Sequence, residues 1–256
     1  MKVVILAGGL GSRLSEETHL KPKPMIEIGD FPILWHIMKI YSFYGYNEFI
    51  ICAGYKGYMI KEFFANYVLN NTSVTFDLKE SRIIYHDQEI EPWKVTVVDT
   101  GANTMTGGRI KRIQRYIGDE PFMLTYGDGV ANVSLSELVA AHNASEKMAT
   151  MTVVQPSGRF GVVNVKEDGT AASFTEKPKG DGNWINGGFF VLEPGVFNLL
   201  ADDNTIWEQQ PLNTLANNGQ LNCYKHKGFW RPMDTLKDKG DLNKLWDTNQ
   251  AEWKIW

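Results

Sequence analysis

Gly8, Gly9 and Gly11 place three glycines within four positions directly after Val3-Val4-Ile5-Leu6-Ala7, and Arg13 and Lys23 follow as cations. Glycines let the backbone take dihedrals closed to other residues and leave its N–H groups open to a ligand, with no Cβ in the way. Arg13 adds a planar fork of donors suited to phosphate oxygens. Lys23, held extended between Pro22 and Pro24, adds a point charge. Residues of these types at this spacing can bind a polyphosphate. A plain strand-to-helix turn would use the glycines for tightness and would have no use for the charge.

Two familiar phosphate loops do not fit. A Walker A loop requires Gly-Lys followed by Ser or Thr, and this loop has no such pair. The dinucleotide fingerprint would put its third glycine on Leu14, so only Gly9 and Gly11 match it.

Other candidates lie further along. Asp128 sits between Gly127 and Gly129 just past an apolar stretch from Phe122 to Tyr126. A carboxylate there suits a hard cation at the carboxyl edge of a sheet, and Asp-Gly is equally an ordinary turn dipeptide. Arg109 follows Gly107-Gly108 at an expected helix start, where N–H groups favour anions. Glu176 and Asn186 are groups suited to sugar hydroxyls and Lys177 to a single phosphate, though exposed-loop chemistry accounts for them equally. Asp234 precedes an expected helix from Thr235 to Trp246 and could serve as its N-cap.

Gly8-Gly9-Leu10-Gly11-Ser12-Arg13-Leu14 followed by a Lys-Pro element resembles the signature of the sugar-1-phosphate nucleotidyltransferases. Commoner uridylyl and thymidylyl members carry Thr where Ser12 stands and Lys-x-Leu-Pro where this chain has Lys23-Pro24-Met25. Lys21 to Met25, Thr106-Gly107-Gly108-Arg109 and Tyr126-Gly127-Asp128-Gly129-Val130 resemble the glucose-1-phosphate cytidylyltransferase branch. The resemblance spans essentially the whole chain. It implies CTP and glucose 1-phosphate as substrates, CDP-glucose and pyrophosphate as products, and a supply of CDP-deoxysugars for lipopolysaccharide O antigen. It implies Arg13 and Lys23 as catalytic residues. Substrate contacts are implied for Leu6, Ala7, Gly8, Gly9, Leu10, Gly11, Ser12, Arg13, Lys23, Thr104, Arg109, Gly127, Glu176, Lys177, Asn186 and Gly187. Mg²⁺ is implied as cofactor on Asp128 and Asp234, and a homo-oligomer, a hexamer, as the assembly.

The elements that must position these residues can be read from apolar spacing. Val3 to Leu6, Phe49 to Ala53 and Phe122 to Tyr126 read as buried strands. Ile33, Leu34, Ile37, Met38 and Tyr41 recur with helical spacing between Pro32 and Gly45, and a second helix carries Ile60, Phe63, Phe64 and Tyr67. Strand-helix alternation predicts an α/β, Rossmann-like fold with a mainly parallel central sheet and helices on both faces. From Thr72 to Thr100 the short runs Val74 to Leu78, Arg82 to Tyr85 and Val95 to Val98 predict a smaller β excursion at the sheet edge, and Asn103 to Tyr116 predicts a helix. A single domain over 1–256 is expected, with a nucleotide half to about residue 130, a sugar-phosphate half to 234 and a helical tail.

The bulk figures exclude several classes. A chain of 256 residues that is 43% hydrophobic supports a large core, and a net charge of −4 argues against a nucleic-acid surface. Cys52 and Cys223 read as reduced core residues, and His36 as a structural or surface residue. Met1-Lys2 leads straight into the first strand and no apolar run approaches the ~20 residues of a membrane span, so a cytoplasmic protein is expected. Trp246, Trp253 and Trp256 give the tail enough aromatic area to dock on its own core or on another subunit.

Overall fold

The computed structural model describes residues 1–11, 14–86, 90–156, 162–175 and 183–256. Its central sheet contains β1 (Lys2–Ala7), β2 (Glu48–Ala53), β3 (Lys94–Asp99), β4 (Phe122–Tyr126), β5 (Ala149–Val154), β6 (Ile185–Leu192) and β7 (Leu221–His226). The seven strands lie in the order β7-β5-β6-β4-β1-β2-β3. Strand β6 is antiparallel to β4 and β5, and the remaining neighbours pair in parallel.

Side chains of a strand alternate between faces, so one apolar run feeds two cores. Val3, Ile5 and Ala7 of β1 join Phe49 and Ile51 of β2 on one face, while Val4 and Leu6 join Ile50 and Cys52 on the other. Helices α1 (Ile33–Phe43), α2 (Gly57–Ala65), α3 (Thr106–Arg112), α4 (Leu135–Ser145), α5 (Gln210–Asn217) and α6 (Leu236–Asp247) cover both. Ile33, Ile37, Ile60, Leu135 and Leu242 pack against the first face, and Ile110, Leu212 and Leu215 against the second. This is the mainly parallel, doubly covered α/β fold the alternation predicts.

Several expectations need correction. Lys94–Asp99 is the outer strand of the central sheet, parallel to β2, and only Ser73–Asp77 and Arg82–His86 form a separate hairpin. Its apolar run had a buried neighbour to pair with. The helix expected from Asn103 to Tyr116 is α3 plus a short turn from Gln114 to Ile117, interrupted at Ile113, where the amide bonds three residues back to Ile110. Cys52 is buried as expected, but Cys223 is exposed. Strand β7 is an edge of the sheet.

The tryptophan-rich tail docks on its own core. Trp253 is fully buried, Trp246 meets His36 edge-on with ring centres 4.6 Å apart, and Trp256 meets Trp35 edge-on at 5.8 Å. His36 is the polar pin of this cluster. The Trp253 indole N–H donates to His36 Nδ1 at 3.4 Å, so Nε2 carries the proton and donates to the Ile28 carbonyl at 2.9 Å. Burial holds the imidazole neutral and pulls its pKa down to about 4.

Candidate active site

The carboxyl ends of β1 and β4 open into a cavity of about 280 Å³. Leu6, Ala7, Gly8, Gly9, Gly11, Lys23, Thr104, Arg109, Gly127 and Asp128, all expected from the sequence, line it together with Tyr126 and Thr106. Leu6 pairs with Tyr126 across the parallel ladder, and the Gly127 amide donates to the Leu6 carbonyl at 2.9 Å, which locks the two loops side by side. Leu10 is exposed and does not line the cavity. Ser12, Arg13, Glu176 and Lys177 lie outside the described residues.

Lys23 is 8% exposed, and its ammonium donates to Asp128 Oδ2 and to Asp234 Oδ1, each at 2.7 Å. Three local features produce this arrangement. The segment Lys23–Met25 is not the extended piece expected from its prolines but forms a single 3₁₀ turn that follows Pro22 and contains Pro24, with Met25 anchored in the core. Gly129–Ala131 pairs antiparallel with Trp230–Pro232, and the Met233 amide donates to the Asp128 carbonyl at 2.8 Å, bringing Asp234 beside Asp128 across a long sequence separation. Finally, Asp234 does not cap the helix. Thr235 caps α6 in a reciprocal box with Asp238, so the Asp234 carboxylate is turned to Lys23. Burial alone would lower the Lys23 pKa, but attraction and hydrogen bonding from Asp128 and Asp234 together outweigh it and raise the pKa above its ordinary value.

The donor set fits a hard divalent cation. Two carboxylates converge on one point already occupied by positive charge, and among the described residues no third His, Cys, Asp or Glu joins them in a metal-holding group. An ion that takes one or two protein carboxylates and completes its shell with water and phosphate oxygens needs no more.

Arg109 lines the cavity and is fixed there by backbone groups. Its guanidinium donates to Thr100 Oγ1 and the Gly101 carbonyl at 2.7 Å each, to the Gly8 carbonyl at 3.0 Å, to Ala102 at 3.3 Å and to Ala53 at 3.4 Å. It ties together the loops after β1, β2 and β3. Gly8 is a glycine because a Cβ there would collide with this guanidinium. One amide at the start of α3 is already taken within the chain. The Gly108 amide donates to the Thr205 carbonyl, and a Cβ at Gly107 or Gly108 would fall 2.7 Å from the Thr205 carbonyl oxygen or 2.6 Å from Asp203 Cα. The glycine pair therefore admits the close approach of the 203–205 segment.

On the sugar-phosphate side, Asn186 lies outside the cavity wall and is coupled to it through Tyr126. Asn186 Nδ2 donates to the Tyr126 hydroxyl at 3.2 Å, and its Oδ1 accepts from the Gly188 amide at 2.8 Å. The Gly187 carbonyl accepts from the Trp230 indole at 2.7 Å. The Tyr126 hydroxyl donates to Glu208 Oε1, and Thr106 Oγ1 donates to Glu208 Oε2, both at 2.6 Å. Burial, followed by the Glu208 charge, pushes the Tyr126 pKa well above its usual value. Tyr126 opens a motif that the sequence singled out, but this role for its hydroxyl was not expected, and Glu208 was not singled out because its stretch carries no local signal.

Comparison with known proteins defines the class: the profile of the nucleotidyl transferase family matches residues 2–254, and the chain belongs to that family. At finer grain, it is 57% identical over 257 residues to the glucose-1-phosphate cytidylyltransferase of Salmonella typhimurium, with 100% of both chains covered. Solved structures share the fold at lower identity. HddC from Yersinia pseudotuberculosis superposes with a TM-score of 0.70 at 22% identity, covering 96% of this chain and 99% of the other. A UDP-glucose pyrophosphorylase in complex with UDP-glucose gives a TM-score of 0.70 at 18% identity, covering 97% and 98%.

Proposed function

We propose that the chain transfers a cytidylyl group from CTP to α-D-glucose 1-phosphate, giving CDP-glucose and pyrophosphate. The juxtaposition of Lys23 with Asp128 and Asp234 at the glycine-lined cavity carries the reaction type. The full-length relative at 57% identity carries the base and the sugar.

A phosphate oxygen of glucose 1-phosphate attacks the α-phosphorus of CTP, a new P–O bond forms, and the bond to pyrophosphate breaks with the electron pair leaving on the pyrophosphate oxygen. No side-chain nucleophile is required, so catalysis consists of alignment and charge compensation. The loop from Gly8 to Gly11 receives the triphosphate, with the Gly8 carbonyl held back by the Tyr55 amide and Arg109. Lys23 compensates charge that builds on the α-phosphate. Thr104 faces the nucleotide, and Asn186 and Gly187 face the hexose. Arg13, Glu176 and Lys177 keep the roles their motifs imply, with Arg13 on the departing pyrophosphate and the other two on the sugar phosphate. Asp128 and Asp234 would hold Mg²⁺, which when bound supplies Lewis-acid neutralisation of phosphate oxygens.

We assign the whole chain to one domain, acting in the cytoplasm as a homo-oligomer. Among the described residues no helix is long and apolar enough to cross a membrane.

Pyrophosphate release with glucose 1-phosphate and Mg²⁺, compared across CTP, UTP, dTTP and ATP, tests the reading. CTP should give the highest kcat/KM. A preference of about tenfold for dTTP or ATP, ~1.4 kcal/mol, overturns the base assignment.

A further inference from the structure

The two carboxylates suited to a divalent cation are already bridged by a cation belonging to the chain. Lys23 Nζ reaches Asp128 Oδ2 and Asp234 Oδ1 at the same 2.7 Å, with the lysine side chain 10% exposed and the two aspartates 34% and 17%. Taking the site as read above, we propose that Lys23 is a resident counter-ion. It neutralises the two carboxylates while the site is free of ligand and yields them to a divalent metal only when a polyphosphate arrives to receive the ammonium.

Charge and geometry support this exchange. A metal entering alone would put two positive charges beside a third in a largely dehydrated site and strip the ammonium of its partners, which a buried charge resists. A nucleoside triphosphate removes the conflict by supplying oxygens for both cations. Lys23 can make the move because it lines the same cavity as Gly8, Gly9 and Gly11. Its four-carbon stem carries a point charge that needs no fixed fork geometry. The backbone beneath it stays put, since Pro22, Pro24 and buried Met25 fix the turn. The substrate this site selects is therefore the metal–nucleotide complex, with metal and nucleotide affinities coupled through one side chain.

The test uses Mn²⁺ as the probe, with metal-free full-length protein and no nucleotide, and free Mn²⁺ measured by electron paramagnetic resonance. Lys23→Met should bind Mn²⁺ about tenfold or more tightly than the wild type, the scale of a coupling between two sites. Lys23→Arg, which keeps a cation, should stay at the wild-type level, and Lys23→Met/Asp128→Asn should lose the gain. Mn²⁺ binding by Lys23→Met that equals or falls below the wild type overturns the proposal. If the gain survives in both Lys23→Met/Asp128→Asn and Lys23→Met/Asp234→Asn, the metal assignment itself fails, a separate outcome. Circular dichroism checks the fold of each variant. If Lys23→Met does not fold, the wild type decides. With the Mn²⁺ bound by α,β-methylene-CTP in a protein-free control subtracted, Mn²⁺ uptake as strong by the protein alone as with the analogue overturns the proposal, and clearly weaker uptake alone supports it.

Discussion

Lys23 and Arg109 line the same cavity and are buried to the same degree, at 8% and 4% exposure, yet they are held by partners of different kinds. Lys23 is held by two carboxylates at the ends of side chains, and Arg109 by four carbonyls and a hydroxyl belonging to three loops. A charge held by opposite charges can be traded for another cation. A fork held by backbone dipoles is harder to trade, because the Gly101 and Ala102 carbonyls would lose the donor it gives them, although Gly8 keeps the Tyr55 amide and Ala53 keeps Thr100. The cavity thus has one cation held by carboxylates and one held by backbone groups, and the two are indistinguishable by charge or burial alone.

The sharpest way to break this contrast is at the carboxylates. Asp128→Asn and Asp234→Asn should each lower kcat by about 10²-fold and raise the Mg²⁺ requirement, while the double variant should lose far less than the product. Multiplicative penalties in steady-state kinetics would mean that the two groups act separately. Near wild-type activity of Asp234→Asn at limiting Mg²⁺ would return that residue to a structural role.

At the cation held by backbone groups the effect should appear in stability. Arg109→Ala should cost about 2–3 kcal/mol in urea unfolding, since the carbonyls of Gly101 and Ala102 lose a donor and three strand ends lose their shared tie. Arg109→Lys should recover little, because a point charge cannot span the carbonyls of Gly8, Gly101 and Ala102. Full activity and stability in Arg109→Lys would show that only its charge matters.

His36 provides a pH counterpart remote from the cavity. Its folded pKa, about 4, lies below the ordinary value of 6.5, so the unfolded chain binds the extra proton between these values. The stabilising effect is full above pH 6.5 and declines as pH falls toward 4, by about 3 kcal/mol in all. Unfolding midpoints of the wild type and His36→Gln across that window should converge on acidification. Parallel curves would contradict it. The smallest effect is expected from Gly108→Ala, about 2 kcal/mol, because its Cβ would press on the Asp203 backbone.

What the sequence revealed follows the same division. The strands around Val3, Phe49 and Phe122 were legible because burial on both faces demands unbroken apolar runs, and the first loop because glycine and charge coincide there. The work of Gly107, Gly108 and Arg109 was not legible. Glycines before an arginine look the same whether a phosphate or the 203–205 segment approaches them, and only packing across about a hundred residues decides. Asp234 was legible only by resemblance, since local spacing equally suited an N-cap until Thr235 took that position. Glu208 gave no signal, because its partners Tyr126 and Thr106 reach it only after the sheet has formed.

The docking of the tail on α1 also bears on the order of biosynthesis. Lys23 is translated long before its partner Asp234, and His36 long before the Trp253 that packs over it, each by more than two hundred residues. The Gly29 amide, six residues beyond Lys23, waits for Asn243 on α6. A nascent chain on the ribosome can build β1, β2 and their helices while its lysine lacks one of the two carboxylates. Contacts of such large sequence separation form late and slowly. The Lys23–Asp234 contact therefore forms only after the intervening chain has been made, and a ribosome that stalls after Asp128 leaves β1, β2 and β4 with Lys23 yet to meet Asp234.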